Sequence, residues 1–177
     1  LRTTFWYENG LKEDSARWYY EQGQLFRTTP FKHDTVDGIQ KQFYRTGKIR
    51  AKIGWSKGMR TPFMQEFDAN SKLMGGYPEI VVNVTDQYVS NGTYRIDLEL
   101  SDKSKNVMFY LGDFTDGRFD TIRCKLLTKD TGTAGIVLKK SGTPCPNYVN
   151  VIASIRTPLL NRYLKSKKIE LPYNDLK

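Results

Sequence analysis

The 177-residue chain contains one histidine and two cysteines, and this scarcity excludes several kinds of chemistry. A structural zinc site takes four nitrogen or sulfur ligands; His33, Cys124 and Cys145 are too few and too scattered to supply them. Gly54-Trp55-Ser56-Lys57-Gly58 has the form of a hydrolase nucleophile elbow. That motif needs a strand–turn–helix, with Asp and then His later in the chain, and here the single histidine precedes the serine. His33 itself, in Phe31-Lys32-His33-Asp34, is expected in a solvated connection between strands. No phosphate-binding glycine loop or dinucleotide fingerprint is present. No run reaches the roughly 18 apolar residues of a membrane helix. Asp113, Asp116 and Asp120 gather around Asp116-Gly117 without the spacing of an EF-hand loop, and read as an acidic hairpin turn. The expectation is a protein that is not an enzyme, with no catalytic, cofactor-binding or metal-binding residue.

What the chain has is aromatic residues, at 13%, and regularly placed glycines. The string Tyr19-Tyr20-Glu21-Gln22-Gly23-Gln24-Leu25 returns as Phe43-Tyr44-Arg45-Thr46-Gly47-Lys48-Ile49 and, worn, as Phe67-Asp68-Ala69-Asn70-Ser71-Lys72-Leu73. Gly23 to Gly47 is 24 residues, and Gly47 to Ser71 another 24. Trp6-Tyr7-Glu8-Asn9-Gly10-Leu11 reads as an earlier copy at about half that interval. A fixed period of this length marks units that bury their faces against their neighbours. In each, an aromatic pair ends a strand, glycine supplies the positive φ of a tight turn, and an aliphatic residue starts the next strand. Return turns are expected at Gly38 and Gly58. Aromatic residues at matching positions should form a ladder on one sheet face.

These strings resemble the MORN-repeat variant family, a bacterial branch of the MORN repeats, over residues 5 to 75. The resemblance implies a β-hairpin meander. It also implies that the fourth copy, with Ser71 for glycine and Asp68 for tyrosine, caps the array. Many proteins of this family carry an antitoxin label, which repeats alone do not transfer.

The period stops at Gly75-Gly76-Tyr77-Pro78, which sets expected domains of 1–76 and 77–177. Beyond it lie β-type runs at 79–85, 93–100, 106–112, 121–127, 135–139, 148–155 and 167–172. Turn signals separate them: Ser90-Asn91-Gly92, Ser101-Asp102-Lys103, Asp116-Gly117, Thr131-Gly132 and Ser141-Gly142. Tyr94, Ile96, Leu98 and Leu100 alternate on one face. Seven short strands predict an immunoglobulin-like antiparallel β-sandwich, so the fold class expected for the whole chain is all-β. All three tryptophans precede residue 60, so the Cys-Trp-Cys signature of true immunoglobulin domains is missing. Thr157 as cap with Pro158 at the first position permits a short helix over 158–165, with Leu159, Leu160 and Tyr163 inward; a continued edge strand is the alternative. Thr143-Pro144-Cys145-Pro146-Asn147-Tyr148 and Ile169-Glu170-Leu171-Pro172-Tyr173-Asn174-Asp175 make this region similar to β-sandwich domains of exported Bacteroidetes-type proteins.

Cys124 and Cys145 have two readings: one disulfide, worth about 3 kcal/mol by loop-closure entropy, or two unrelated thiols, one buried and one in a loop. Asp14-Ser15-Ala16, Asp34-Thr35-Val36 and Asp120-Thr121-Ile122 match the O-glycosylation pattern of Bacteroidetes-type exported proteins, making Ser15, Thr35 and Thr121 candidate acceptors. Asp14 and Asp34 are expected in surface turns. Asn83-Val84-Thr85 and Asn91-Gly92-Thr93 match the N-glycan sequon.

Net charge is +9, unevenly spread. Residues 41–60 hold seven basic side chains and no acidic one. Lys41, Arg45, Lys48, Arg50, Lys52, Lys57 and Arg60, with Trp55, are the expected partner-binding surface. Arg50 and Lys52 alternate with Ala51 and Ile53 and should share a face. Such a surface attracts an acidic protein, an anionic lipid headgroup or a glycan surface; a solvated face kept soluble by charge is the plain alternative. Nucleic acid ranks below these, because the aromatics are more simply a structural ladder. The function expected is a protein-interaction module in an exported, envelope-associated assembly. Its place would be the periplasm or cell surface, or a lipid anchor through a removed N-terminal segment, with Leu1 as a trimmed start. The alternative is a cytoplasmic antitoxin-like or nucleic-acid-binding repeat protein.

Overall fold

A computed structural model describes residues 2–127 and 132–177. Strand makes up 58% of the chain and helix 2%, so the expected all-β class holds. The chain divides into two units between Gly76 and Tyr77, and residues 115–120 cluster with the first unit.

The first unit is an antiparallel meander of β1 (Thr3–Glu8), β2 (Leu11–Tyr19), β3 (Leu25–Lys32), β4 (Thr35–Val36), β5 (Gly38–Phe43), β6 (Ile49–Ser56) and β7 (Met59–Glu66). The strand order is β1-β2-β3-β5-β6-β7, with β4 beside β3. Its hydrogen bonds repeat every 24 residues. Tyr20 N–H donates to Gln24 O, Tyr44 N–H to Lys48 O and Asp68 N–H to Lys72 O, at 2.8, 2.9 and 2.9 Å. Gly23, Gly47 and Ser71 close these turns with φ of 91°, 83° and 68°. The Tyr20 hydroxyl donates to Phe43 O at 2.8 Å and the Tyr44 hydroxyl to Phe67 O at 2.7 Å, so each repeat is bonded to the next. Asp68 ends the series: its carboxylate accepts Asn70 and Lys72 N–H, both at 2.9 Å, and caps its own turn.

A second series of turns runs along the other side. Asn9-Gly10, His33-Asp34 and Lys57-Gly58 all have positive φ and are two-residue hairpin turns of the primed type. Glu13 accepts the N–H of His33, and Asp37 that of Lys57. Two sequence expectations are corrected here. Gly10 belongs to this return series rather than to that of Gly23 and Gly47. The return turn assigned to Gly38 is made by His33-Asp34, while Gly38 opens β5 at φ 113°, where a Cβ would approach Pro30 Cγ to 3.1 Å. Gly58 does sit in a return turn, as expected.

The second unit comprises β8 (Ile80–Gln87), α1 (Tyr88–Asn91), β9 (Thr93–Leu100), β10 (Val107–Leu111), β11 (Lys125–Leu126), β12 (Ala134–Lys139), β13 (Tyr148–Arg156) and β14 (Arg162–Glu170). One sheet has the order β12-β9-β8, the other β11-β10-β13-β14. The first, second and fifth strands thus face the other four in an immunoglobulin-like sandwich. Tyr94, Ile96, Leu98 and Leu100 are buried as their alternation required. They pack with Phe109, Ile136, Val151 and Ile169 in one core, each large side chain contributing about 1.5–3 kcal/mol.

Two readings differ in detail: the strand over 121–127, and the short helix over 158–165, whose edge-strand alternative is realised from Arg162. No helix forms over 158–165. Asn161 N–H bonds to Thr157 Oγ1, Leu160 takes φ 64° in a tight turn, and β14 begins at Arg162 because its nine residues pair with β13. Leu160 is 65% exposed, and Leu164 is buried in place of Leu159 and Leu160. The strand expected over 121–127 shrinks to Lys125–Leu126, since residues 121–123 turn and Ile122 is 95% exposed. The turn expected at Ser90-Asn91-Gly92 does separate β8 from β9, as the end of a single helical turn closed by Gly92 at φ 70°. Of the Thr131-Gly132 turn signal, Thr131 lies outside the described residues.

Candidate functional site

Cross-strand partners on a sheet share a face, and the register places one row across the repeat unit. Thr4 pairs with Arg17, Arg17 with Thr28, Thr28 with Lys41, Lys41 with Lys52, and Lys52 with Gln65. Strands lie about 4.8 Å apart, so Arg17, Lys41 and Lys52 form a line of cations with no carboxylate in the row. Lys41 and Lys52 are directly opposed, a like-charge pair that costs stability. Arg17 and Lys41 are exposed, and Lys52 is half-buried.

Aromatic rings flank this line. Lys52 Nζ lies 5.6 Å from the Phe67 ring, the Arg50 guanidinium 6.0 Å from Tyr44, and that of Arg45 5.4 Å from Tyr20. The rings of Tyr20 and Phe26 meet edge to face at 5.2 Å. The site is therefore an aromatic–basic sheet face.

The eight side chains expected to act together do not all lie on it. Lys41 and Lys52 do, and Arg50, two residues from Lys52, lies beside them. Arg45 and Lys48 belong to the 44–48 turn, where Lys48 Nζ donates to Ala69 O at 3.0 Å. Lys57 is in the opposite turn series. Trp55 and Arg60 are a pair on the other face, because Trp55 is offset from Lys52 by an odd number of residues and opposes Gly38 and Arg60. Arg60 stacks 5.5 Å from the Trp55 ring. Burial pushes its pKa down to about 10, which leaves it charged at neutral pH. Its carbonyl accepts Phe119 N–H at 2.8 Å, a bond that ties residues 115–120 to β7. Charge density along the chain missed Arg17. The period could have found it, since Arg17, Lys41 and Gln65 are 24 residues apart, as are Thr4, Thr28 and Lys52.

The remaining expected sites are dispersed. No disulfide joins Cys124 and Cys145. Cys124, buried, lies 3.6 Å from Asp113 O, and Cys145 donates to Leu176 O at 2.9 Å. Ser15 is half-buried in β2 opposite Pro30. Asp14 before it takes φ 56° inside the strand rather than in a turn. Asp34 is in a turn, Thr35 is exposed in β4, and Thr121 is exposed beyond the 115–118 hairpin. Asp116 and Gly117 form the tip of that hairpin, where Asp116 pairs with Arg118 at 2.7 Å. Asp113 accepts from Asn150 instead, at 2.9 Å.

A family model described as the MORN repeat variant matches residues 15–33 and 36–55, a span that contains both complete Tyr–Gly turns. No curated protein matches the chain. Among solved structures, the apo form of Bacteroides uniformis beta-glucuronidase 3 aligns with 90% of this chain and 20% of its own at 19% identity. The TM-score of that alignment is 0.24, too low to indicate a shared fold.

Proposed function

We propose that this chain is a non-catalytic interaction module whose repeat sheet docks an acidic protein surface. The observation that carries the reading is the row Arg17, Lys41, Lys52. Three cations are aligned across strands, at a cost in mutual repulsion, and flanked by rings. A carboxylate-bearing partner relieves that repulsion and accelerates encounter. Two acidic side chains near the row in sequence, Glu13 and Asp37, bond the return turns instead.

A protein partner is favoured over single-stranded nucleic acid by the tyrosines. Base stacking needs rings presented to the ligand, whereas Tyr20 and Tyr44 are held by hydroxyl bonds between repeats. The same reading places the chain as an accessory subunit of an exported, envelope-associated assembly, with the sandwich as a second docking body. Cell fractionation tests that placement: recovery solely in the cytoplasm would remove it.

The docking reading is tested by reversing Arg17, Lys41 and Lys52 to Glu and following association with the natural partners across a salt series. Slower association and a shallower salt dependence are expected, with melting retained. Undiminished co-purification would make the row a solvated surface.

A further inference from the structure

The two edges of the repeat sheet are finished differently. On β7, Pro62 removes a backbone donor, Phe119 N–H occupies the Arg60 carbonyl, and Met74 N–H occupies that of Glu66 at 2.8 Å. Natural sheets protect their edges by such means, because an open edge is a template for another strand. β1 has neither proline nor lysine, and among the described residues no strand pairs with its outer side. Phe5, Trp6 and Tyr7 are 42%, 64% and 54% exposed along it.

The hydrogen-bond parity of β1 restricts what can pair there. Arg2 O accepts Tyr19 N–H at 3.0 Å, so even-numbered positions bond inward to β2. Thr3, Phe5 and Tyr7 turn their N–H and C=O groups outward. The alternation survives the bulge between Thr4 and Trp6, because the extra residues there are on β2. A second β1, antiparallel and with Phe5 opposite Phe5, presents outward groups at matching positions. That register sets Thr3 against Tyr7 and Thr4 against Trp6. It also sets Arg2 of one copy opposite Glu8 of the other, at both ends.

We propose that two copies of this chain join edge to edge through β1, antiparallel and centred on Phe5, into one continuous sheet. Paired residues share a face, so the cationic rows of the two copies fall on the same side and double the surface offered to a partner. The inference does not depend on what that surface binds.

Sedimentation equilibrium over a concentration series tests it. The natural chain should form a dimer. Glu8→Arg alone sets arginine against Arg2 at both ends and should weaken the dimer about tenfold, as should Arg2→Glu alone. The double variant Arg2→Glu/Glu8→Arg should recover the original affinity to within about twofold. Phe5→Pro deletes an outward donor while leaving the inward bonds, and should give a monomer whose tryptophan-detected melt is lowered by the lost ring contact with Trp18 but still cooperative. If that variant unfolds, the charge exchange decides alone. A natural chain that stays monomeric to about 1 mM, or a double variant no better than either single one, overturns the proposal and leaves β1 to a strand from a different protein.

Discussion

Tyr44→Phe deletes one hydroxyl and nothing else, which makes it a clean probe of how the repeats hold together. The hydroxyl donates to Phe67 O at 2.7 Å from a partly buried position. A net hydrogen bond of this kind is worth about 0.5–1.5 kcal/mol, and the ring, with its contact to Arg50, remains. A loss of about 1 kcal/mol is expected, which at a urea m-value of about 1 kcal/mol/M lowers the midpoint by about 1 M. Tyr20→Phe removes the equivalent bond to Phe43 O and should cost the same. Tyr19→Phe, which touches no such bond, should stay within about 0.5 kcal/mol. All three tryptophans, Trp6, Trp18 and Trp55, lie in the repeat unit, so their fluorescence follows its unfolding separately from the sandwich. Equal midpoints for Tyr44→Phe and the natural chain would refute the claim that these hydroxyls bind one repeat to the next.

Gly47→Val should cost more than about 1 kcal/mol from backbone strain alone, because φ is 83° and a Cβ there meets no atom within 4 Å; an unchanged melting temperature would contradict the turn. Gly54→Ala should cost more still through overpacking, about 1–3 kcal/mol or above, since its Cβ would fall 2.1 Å from Thr61 Oγ1 and 3.0 Å from Phe63 Cβ; the two urea midpoints compare them. Lys41→Glu converts a like pair with Lys52 into an opposite one and should raise stability by up to about 1 kcal/mol, read as a higher urea midpoint, while weakening partner association; a fall in both would mean structural damage. In the sandwich, hydrogen bonding from Arg95 holds the Asp97 carboxyl below its usual range, and hydrogen bonding from Lys103 does the same for Glu99. Their contribution is complete above the unfolded carboxylate pKa and is lost as pH falls through the lowered values. Melting temperature against pH should therefore fall less steeply in acid for Asp97→Asn than for the natural chain; parallel curves would contradict the pairing.

The turn series of Gly23 and Gly47 was legible because a glycine at positive φ leaves a compositional mark. The return series was legible only at Gly58. Asn9-Gly10, His33-Asp34 and Lys57-Gly58 take one geometry with different residues, and Asn and Asp tolerate left-handed backbone well enough to hide the equivalence. That is why the spacing of glycines alone puts Gly10 in the wrong phase. The basic surface was half legible: alternation put Arg50 and Lys52 together, but joining Arg17 to Lys41 takes the pairing register. Trp55 and Arg60 read as part of the same surface because charge density along the chain says nothing about which side of a sheet a residue occupies. Thr157-Pro158 is a genuine local helix signal, yet nine pairs with β13 outweigh it, a case of tertiary context overriding local preference. In the sandwich, strict alternation over 93–100 fixed both the strand and its buried side, whereas the weaker pattern over 121–127 left only two residues paired.

The measurement closest to the central claim is co-purification of the natural chain and its Arg17→Glu/Lys41→Glu/Lys52→Glu variant with their natural partners, eluted by increasing salt. The natural chain should retain an acidic protein that is released as salt screens the row. The variant, with unchanged tryptophan-detected melting, should lose it. Retention of the same protein at the same salt by the variant would contradict docking on this face.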